Sequence, residues 1–363
     1  RMLASGITLT LSIGKQKPEA VSRSFIDAIQ SVQVTHSDEE RSGFQIVFQI
    51  GRSRADDLKD YQLMTDPLLV PGNRVKLTIT LNAKAESLMD GIITHQQFAP
   101  SSEPGASTFT ITGEDISVLM DRKEAALPFQ QNSAKEGPEE HPGQDDPGIV
   151  TQLLNKYRQY NIKPDVAERR LAHPPNTRRI PIKQGTDLEK IQQLAQDNGY
   201  VFYIEPVAEE NIAYWGPPKR PGSGSQKALT LNMGAYTNVN TISFQHNALA
   251  PIRVSGRIQD RETNEIKEFS ITNSDQPQLS KSPSIQNKIC PRDKMFHEIK
   301  HTFASATALA QSMTNRSVEN VITATGELDT VRYGALLKVR KLVVLRGVGY
   351  SYDGLYYVKQ VTH

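Results

Sequence analysis

The sequence predicts a mainly β protein with α+β insertions, organised as two tandem related β-barrels joined by a helix-containing segment. Three observations lead there. Apolar residues recur at every second position in several early stretches, which lines them along one face of pleated strands. Strand-like alternation returns after Ala228. Between the two lies a stretch with helical apolar spacing, bordered by segments rich in proline and glycine.

The first unit spans residues 1–128. Ile7, Leu9, Leu11 and Ile13 form one apolar row, Phe44, Ile46, Phe48 and Ile50 a second, and Val75, Leu77, Ile79 and Leu81 a third. Phe109 and Ile111 begin a fourth. Several short alternating strands of this kind make a sandwich or barrel. Residues 114–125 then switch to helical spacing, placing Ile116, Leu119 and Met120 to cover one barrel end.

Residues 129–148 read as an acidic Pro/Gly linker or surface loop: Gln130 to Gly148 holds three prolines, three glycines and five carboxylates, and little that can be buried. A connecting domain follows over 149–228. Its first helix, near 148–160, puts Ile149, Val150, Leu153, Leu154 and Tyr157 on one face, with Pro164 as a stop beyond it. A second helix, DLEKIQQLAQDNG, carries Leu188, Ile191 and Leu194 as its stripe and ends at Gly199, where a left-handed terminator is expected. The strand VFYIE comes next, and after Trp215 the run GPPKRPGSGSQK reads as a basic loop. The second barrel occupies 229–363, with strands at 229–231, 241–244 and 252–258, a helical insertion over 297–316, and VITATGELD as strand and turn.

Composition narrows the function classes. With 42 basic and 40 acidic residues the net charge is +2, so no long-range field steers the molecule toward nucleic acid or an anionic membrane. Cys290 is the single cysteine, which rules out a disulfide or a cysteine zinc cluster within one chain and fits assembly in a reducing cytoplasm. No run approaches the roughly 18 apolar residues of a membrane helix, and the alternation of the first residues is that of a strand, not of an export signal.

Two blocks of the chain resemble each other. GNRVKLTITL, a loop and MDGIITH begin at Gly72; GALLKVRKLVVL, a loop and YDGLYYVKQVTH begin at Gly334. Each pairs a glycine-led strand with an Asp-Gly turn, Asp90-Gly91 and Asp353-Gly354, and closes on Thr-His. Any two hairpins can share such features, but the matched order of strand, loop and strand favours duplication.

Four stretches resemble the phage late control gene D family, the tail hub proteins that also form the base of the VgrG spike of type VI secretion. They are VKLTITL with MDGIITH, FTITGEDISVLMDRKEA with Asp115, QGTDLEKIQQLAQDNGYVFYIE, and GLYYVKQVTH. The third is the most specific, since Asp187, Leu188, Leu194, Ala195, Gly199 and Tyr200 stand in the family's order. The acidic linker and the basic loop depart from the pattern. The resemblance implies a non-enzymatic baseplate hub without cofactor: a homotrimer whose duplicated barrels make a ring of six similar domains, adapting a hexameric tail tube protein to a threefold spike. The spike is expected to be a separate trimeric polypeptide. Other baseplate proteins are the remaining partners, with no membrane insertion and no sequence-specific nucleic acid, and the particle is assembled in the cytoplasm of a cell making a phage tail or injection system.

Two motifs point elsewhere. His297-Glu298-Ile299-Lys300-His301 matches H-E-x-x-H, which on a helix turns two imidazoles toward one zinc, with Glu319 as a third ligand. Lys300 and Thr302 make it more polar than a zinc-hydrolase helix, so His297 and His301 are expected to be helical surface or interface residues without metal. QGTDLEKIQQLAQDNG also resembles the first half of a peptidoglycan-binding LysM repeat, whose second half is missing. The basic run Arg332, Lys338, Arg340, Lys341 and Arg346 suits either a channel lining, an acidic partner face or solvated strand edges.

Overall fold

A computed structural model of the chain describes residues 2–4, 6–51, 63–122, 145–168, 185–219, 226–260, 263–276, 279, 290–297 and 301–363. The acidic linker up to Gln144, residues 220–225 of the basic loop, and residues 298–300 lie outside the described residues.

The architecture is mainly β with helical insertions. Its largest sheet is built from β1 (Met2–Ala4), β2 (Ile7–Gly14), β3 (Glu19–Ala20), β4 (Ile29–Ser37), β5 (Gly43–Gln49), β6 (Arg74–Leu81), β7 (Lys84–Ala99) and β8 (Thr108–Asp115). The chain's last strand, Gln360–Thr362, completes it. The order runs β1-β2-β6-β7-β8-β5-β4 and then that last strand, with β3 on β2. The alternating rows read from the sequence turn to one side, where Leu9, Leu11, Ile46, Phe48, Val75 and Leu77 share a core. The short helix α1 (Arg23–Asp27), capped by Ser22, packs Phe25 edge-on against Phe48 at 5.1 Å.

The expected Asp90-Gly91 turn is not formed. Both residues lie inside the 16-residue strand β7, and the β6–β7 turn sits earlier, at Asn82-Ala83, whose φ values of 51° and 62° are those of a two-residue hairpin turn. Asp90 is buried and paired, and Gly91 serves close packing: a Cβ there would lie 2.4 Å from the Glu114 carbonyl oxygen and 3.1 Å from the Phe44 ring. Asp353 does sit at a turn, where its carboxylate accepts from the Val348 N–H at 2.9 Å, and Gly354 opens a strand.

The connecting module begins with α2 (Ser117–Met120), a single described turn where a longer helix was expected. It continues through α3 (Asp146–Asn155), a 3-10 turn at Arg158–Tyr160, β9 (Ile162–Val166), α4 (Asp187–Asp197), β10 (Val201–Val207) and β11 (Glu210–Gly216). The sheet order is β10-β11-β9, with β9 parallel to β11. Pro164 is therefore no helix stop but a residue of the edge strand β9, where a missing N–H costs little. The apolar stripes of α3 and α4 meet Trp215 in a second core, which Ile92, Ile116 and Met120 extend toward the first sheet.

The C-terminal region divides its strands among three small sheets. They comprise β12 (Leu229–Thr230), β13 (Val239–His246), β14 (Ile252–Gln259), β15 (Ile266–Ile271), β16 (Arg292–Met295), β17 (Ile322–Leu328), β18 (Leu342–Arg346) and β19 (Gly354–Tyr357), while β20 (Gln360–Thr362) crosses back to β4. β13 pairs with β17, β14 lies between β15 and β16, and β18 lies between β12 and β19. The helix α5 (Phe303–Glu319) covers β14 through Ala306, Leu309 and Ala310, and α6 (Thr330–Tyr333) precedes the last hairpin. α5 starts later than the sequence predicts because Thr302 caps it, its hydroxyl accepting from the Ser305 N–H at 3.1 Å. His297 and His301 are thus not helical.

Candidate functional site

The chemistry-bearing side chains of this chain gather at junctions between modules. The strongest joins the first sheet to the connecting module. Arg74 opens β6 and Asp90 is its diagonal neighbour on β7, opposite Lys76; their side chains are 2% and 3% exposed and form a bidentate pair, Nε to Oδ1 at 2.7 Å and Nη2 to Oδ2 at 2.6 Å. Arg74 also donates to the Gln16 carbonyl at 2.9 Å and the Tyr160 carbonyl at 3.1 Å. Asn211 on β11 closes the network, its Nδ2 donating to Asp90 Oδ2 at 2.8 Å and to the Tyr160 carbonyl at 3.0 Å. A buried ion pair stabilises little against an apolar replacement, but removing one partner strands a charge, so the geometry is strongly specified.

A second junction centres on Arg340, at the turn before β18. Its guanidinium stacks 3.7 Å over the Tyr203 ring of β10, and Nη2 donates to the Ser37 carbonyl of β4 at 2.7 Å. Three modules thus meet at one side chain. Burial pushes the Tyr203 hydroxyl up to about 12, so it stays neutral at physiological pH. Arg340 itself has φ 63°, a conformation that an L residue adopts only where its surroundings fix it.

The residues that the family resemblance singles out are structural in place. Asp115 ends β8 with a buried carboxylate that accepts from the Ser42 N–H at 3.0 Å and the Ser117 N–H at 2.9 Å; burial raises its pKa. Asp187 begins α4 and accepts from the Tyr157 hydroxyl at 2.8 Å and from Lys156 at 3.1 Å. Burial first and Asp187 second hold the Tyr157 phenol well above its ordinary value. Thr186 caps α4 with a reciprocal Glu189 bond and reaches Asp121 at 2.8 Å. Leu188, Leu194 and Ala195 are core, Tyr200 packs edge-on against Trp215 at 4.9 Å, and Gly199, at φ +66°, lets α4 end against α5, where a Cβ would meet the Ala308 carbonyl at 3.2 Å.

The zinc-type arrangement does not come together. His297 is exposed, His301 is buried ahead of the helix, and Glu319 closes the 17-residue α5, roughly 25 Å from its start. His301 instead meets Ser305 Oγ at 3.1 Å and Asp197 Oδ1 at 3.7 Å. Both approach the same ring nitrogen, Nδ1, whereas a proton relay from serine through histidine to carboxylate uses both. The basic run is likewise divided: Lys338 pairs with Glu86 at 3.3 Å, Arg332 donates to the Thr237 carbonyl at 3.0 Å, Arg340 is spent inside, and Arg346 is exposed.

The arrangement fixes the modules to one another. No family model matches the chain, and no curated protein matches its sequence. The tail protein from Neisseria meningitidis MC58 superposes with a TM-score of 0.61 at 12% identity, over 98% of this chain and 91% of that one. The 43 kDa tail protein of prophage MuSo2 from Shewanella oneidensis superposes with a TM-score of 0.58 at 14% identity, over 98% and 93%. The fold is that of these tail proteins. At such identities the likeness is one of fold, carried over nearly the full length of the chain, so the connecting module and the divided C-terminal sheets belong to the tail-protein fold as much as the first sheet does. No helix among the described residues is long and apolar enough to cross a membrane.

Sequence reasoning missed Arg74, Asn211 and Arg340 as junction residues. Buried charges look like surface charges in a sequence; the available signal was Arg74 beside an otherwise apolar alternating strand, and Asn211 before the apolar run IAYW.

Proposed function

We propose that the chain is a structural baseplate subunit of a contractile tail or tail-like injection machine: a hub that forms a homotrimer and adapts a sixfold tube to a threefold spike. The observation that carries this reading is the full-length fold likeness to two tail proteins, joined to junctions that position modules without building a reaction centre. The two hairpins, β6–β7 and β18–β19, are the counterparts of a duplicated unit, each an antiparallel pair in the order the internal repeat lays out.

Self-association has its own support. β13 and β17 form a two-stranded ribbon that is mostly exposed along both strands, and a two-stranded ribbon alone in water is marginal. Copies of the chain complete it in a closed ring, with cytoplasmic assembly preceding incorporation into the particle. Tube, spike and other baseplate proteins are the partners on the two faces of that ring. Reconstitution of the purified chain with tube and spike proteins of the same particle tests the reading: a ternary complex with three hub copies is expected, and failure of the hub to bind either protein would contradict it.

A further inference from the structure

The last strand of the chain is held to the first sheet by a seam with an unusual charge content. β20 pairs antiparallel with β4, Val361 opposite His36, and the bonds continue past the strand, with the Val34 N–H donating to the His363 carbonyl at 2.9 Å and the His363 N–H to the Val34 carbonyl at 2.8 Å. In this register His36 and His363 are diagonal neighbours on one face, and their rings meet edge-on with centroids 6.0 Å apart. The guanidinium of Arg340, bonded to the carbonyl of the adjacent Ser37, adds a fixed positive charge. The backbone of Leu88 on β7 favours the charged form of His36, and that of Leu337 the charged form of His363, against the effect of burial. One seam thus ties together β4, β20 and the turn before β18 that carries Arg340.

We propose that this seam is an acid-released latch: on acidification the two imidazoles take up protons beside Arg340, and the last strand detaches from the first sheet. The inference rests on the seam alone and stands whether or not the chain is a tail hub. Burial, then His363 and Arg340, depress the His36 imidazole from 6.5 to about 4, and burial depresses His363. Both rings are therefore neutral when docked. Above pH 6.5 they are neutral in the released form too, and docking is unaffected. Below 6.5 the released form takes protons first, so docking weakens progressively as pH falls toward 4, on the order of 50-fold by pH 4.5 for His36 alone.

The other charges nearby do not reverse this. Glu86 faces His363 and favours its charged form, but Lys84 and Lys338 already pair with it at 3.0 and 3.3 Å. Lys359 and Glu39 offset one another at 3.9 Å. Asp38 works the other way: burial and then Glu39 raise its pKa, so its protonation in acid relieves a burial cost. It is one carboxyl against two imidazoles, and its neutralisation leaves Arg340 facing them with less compensation.

Backbone amide exchange on the full chain, corrected for the intrinsic pH dependence of exchange, tests the latch. Between pH 7.5 and 4.5 protection at Val34 and His363 is expected to fall more than about 10-fold while α4 stays protected, and a His36→Gln/His363→Gln variant is expected to show no such fall. Unchanged protection at the seam, or loss in α4 over the same range, would overturn the proposal. Should the variant fail to fold, titration of the two imidazoles in the wild-type chain by NMR decides it: midpoints well below 6.5 support the latch and midpoints at or above 6.5 contradict it.

Discussion

The first sheet and the β13–β17 ribbon are both antiparallel β structure in one chain, yet they treat water oppositely. In the first sheet alternate residues of β2, β5 and β6 are buried and the strands close over a shared core. In the ribbon most residues of both strands are exposed, and its described anchor is Phe244 stacked on Tyr352 at 4.4 Å. On the proposed reading the difference separates two jobs. A sheet that buries its own face supplies stability to the subunit, and a ribbon that cannot do so is stable in service when another surface covers it.

Substitutions sharpen that contrast. The largest effect is expected where the first sheet is most self-sufficient: Phe48→Ala should cost the subunit about 3–5 kcal/mol by urea denaturation, from lost burial plus the cavity left behind. Asp90→Ala should cost a similar amount, about 3–5 kcal/mol, because Arg74 is left charged and unpaired, and an Arg74→Met/Asp90→Leu double variant should recover most of it. Equal losses in the single and double variants would show that the network contributes more than its charge. Gly91→Ala should cost about 1–3 kcal/mol, since the added methyl meets the Glu114 backbone. Thr186→Ala should cost about 1 kcal/mol through loss of the α4 cap. The smallest effect on the subunit is expected in the ribbon, where Thr323→Lys/Thr325→Lys should change its stability by less than about 0.5 kcal/mol while weakening self-association more than 10-fold by sedimentation. A large stability loss there would erase the distinction between the two regions.

What the sequence disclosed follows the same line. β2, β5, β6 and β8 were legible because one buried face imposes a period of two on their side chains. α4 was legible down to its Gly199 terminator, because cap, stripe and left-handed stop are all local. β4 was not, since its bulge between Ile29 and Ser31 breaks the alternation and much of it remains partly exposed. β7 was read as interrupted because Asp-Gly signals a turn in most contexts, whereas here the aspartate is claimed by Arg74 and the glycine by Phe44. The return of β20 to β4 joins residues more than 300 positions apart, a contact without local signature. The junction side chains share that difficulty: Arg74, Asn211 and Arg340 derive their roles from partners that the chain brings together only on folding.

The proposed hub makes the ribbon and the tandem units sufficient only as a closed ring, and native mass spectrometry of the full chain, alone and with its tube and spike proteins, addresses that most directly. The account predicts a species of three copies, lost in the Thr323→Lys/Thr325→Lys variant whose subunit remains folded. A species of one copy under all of these conditions would contradict it.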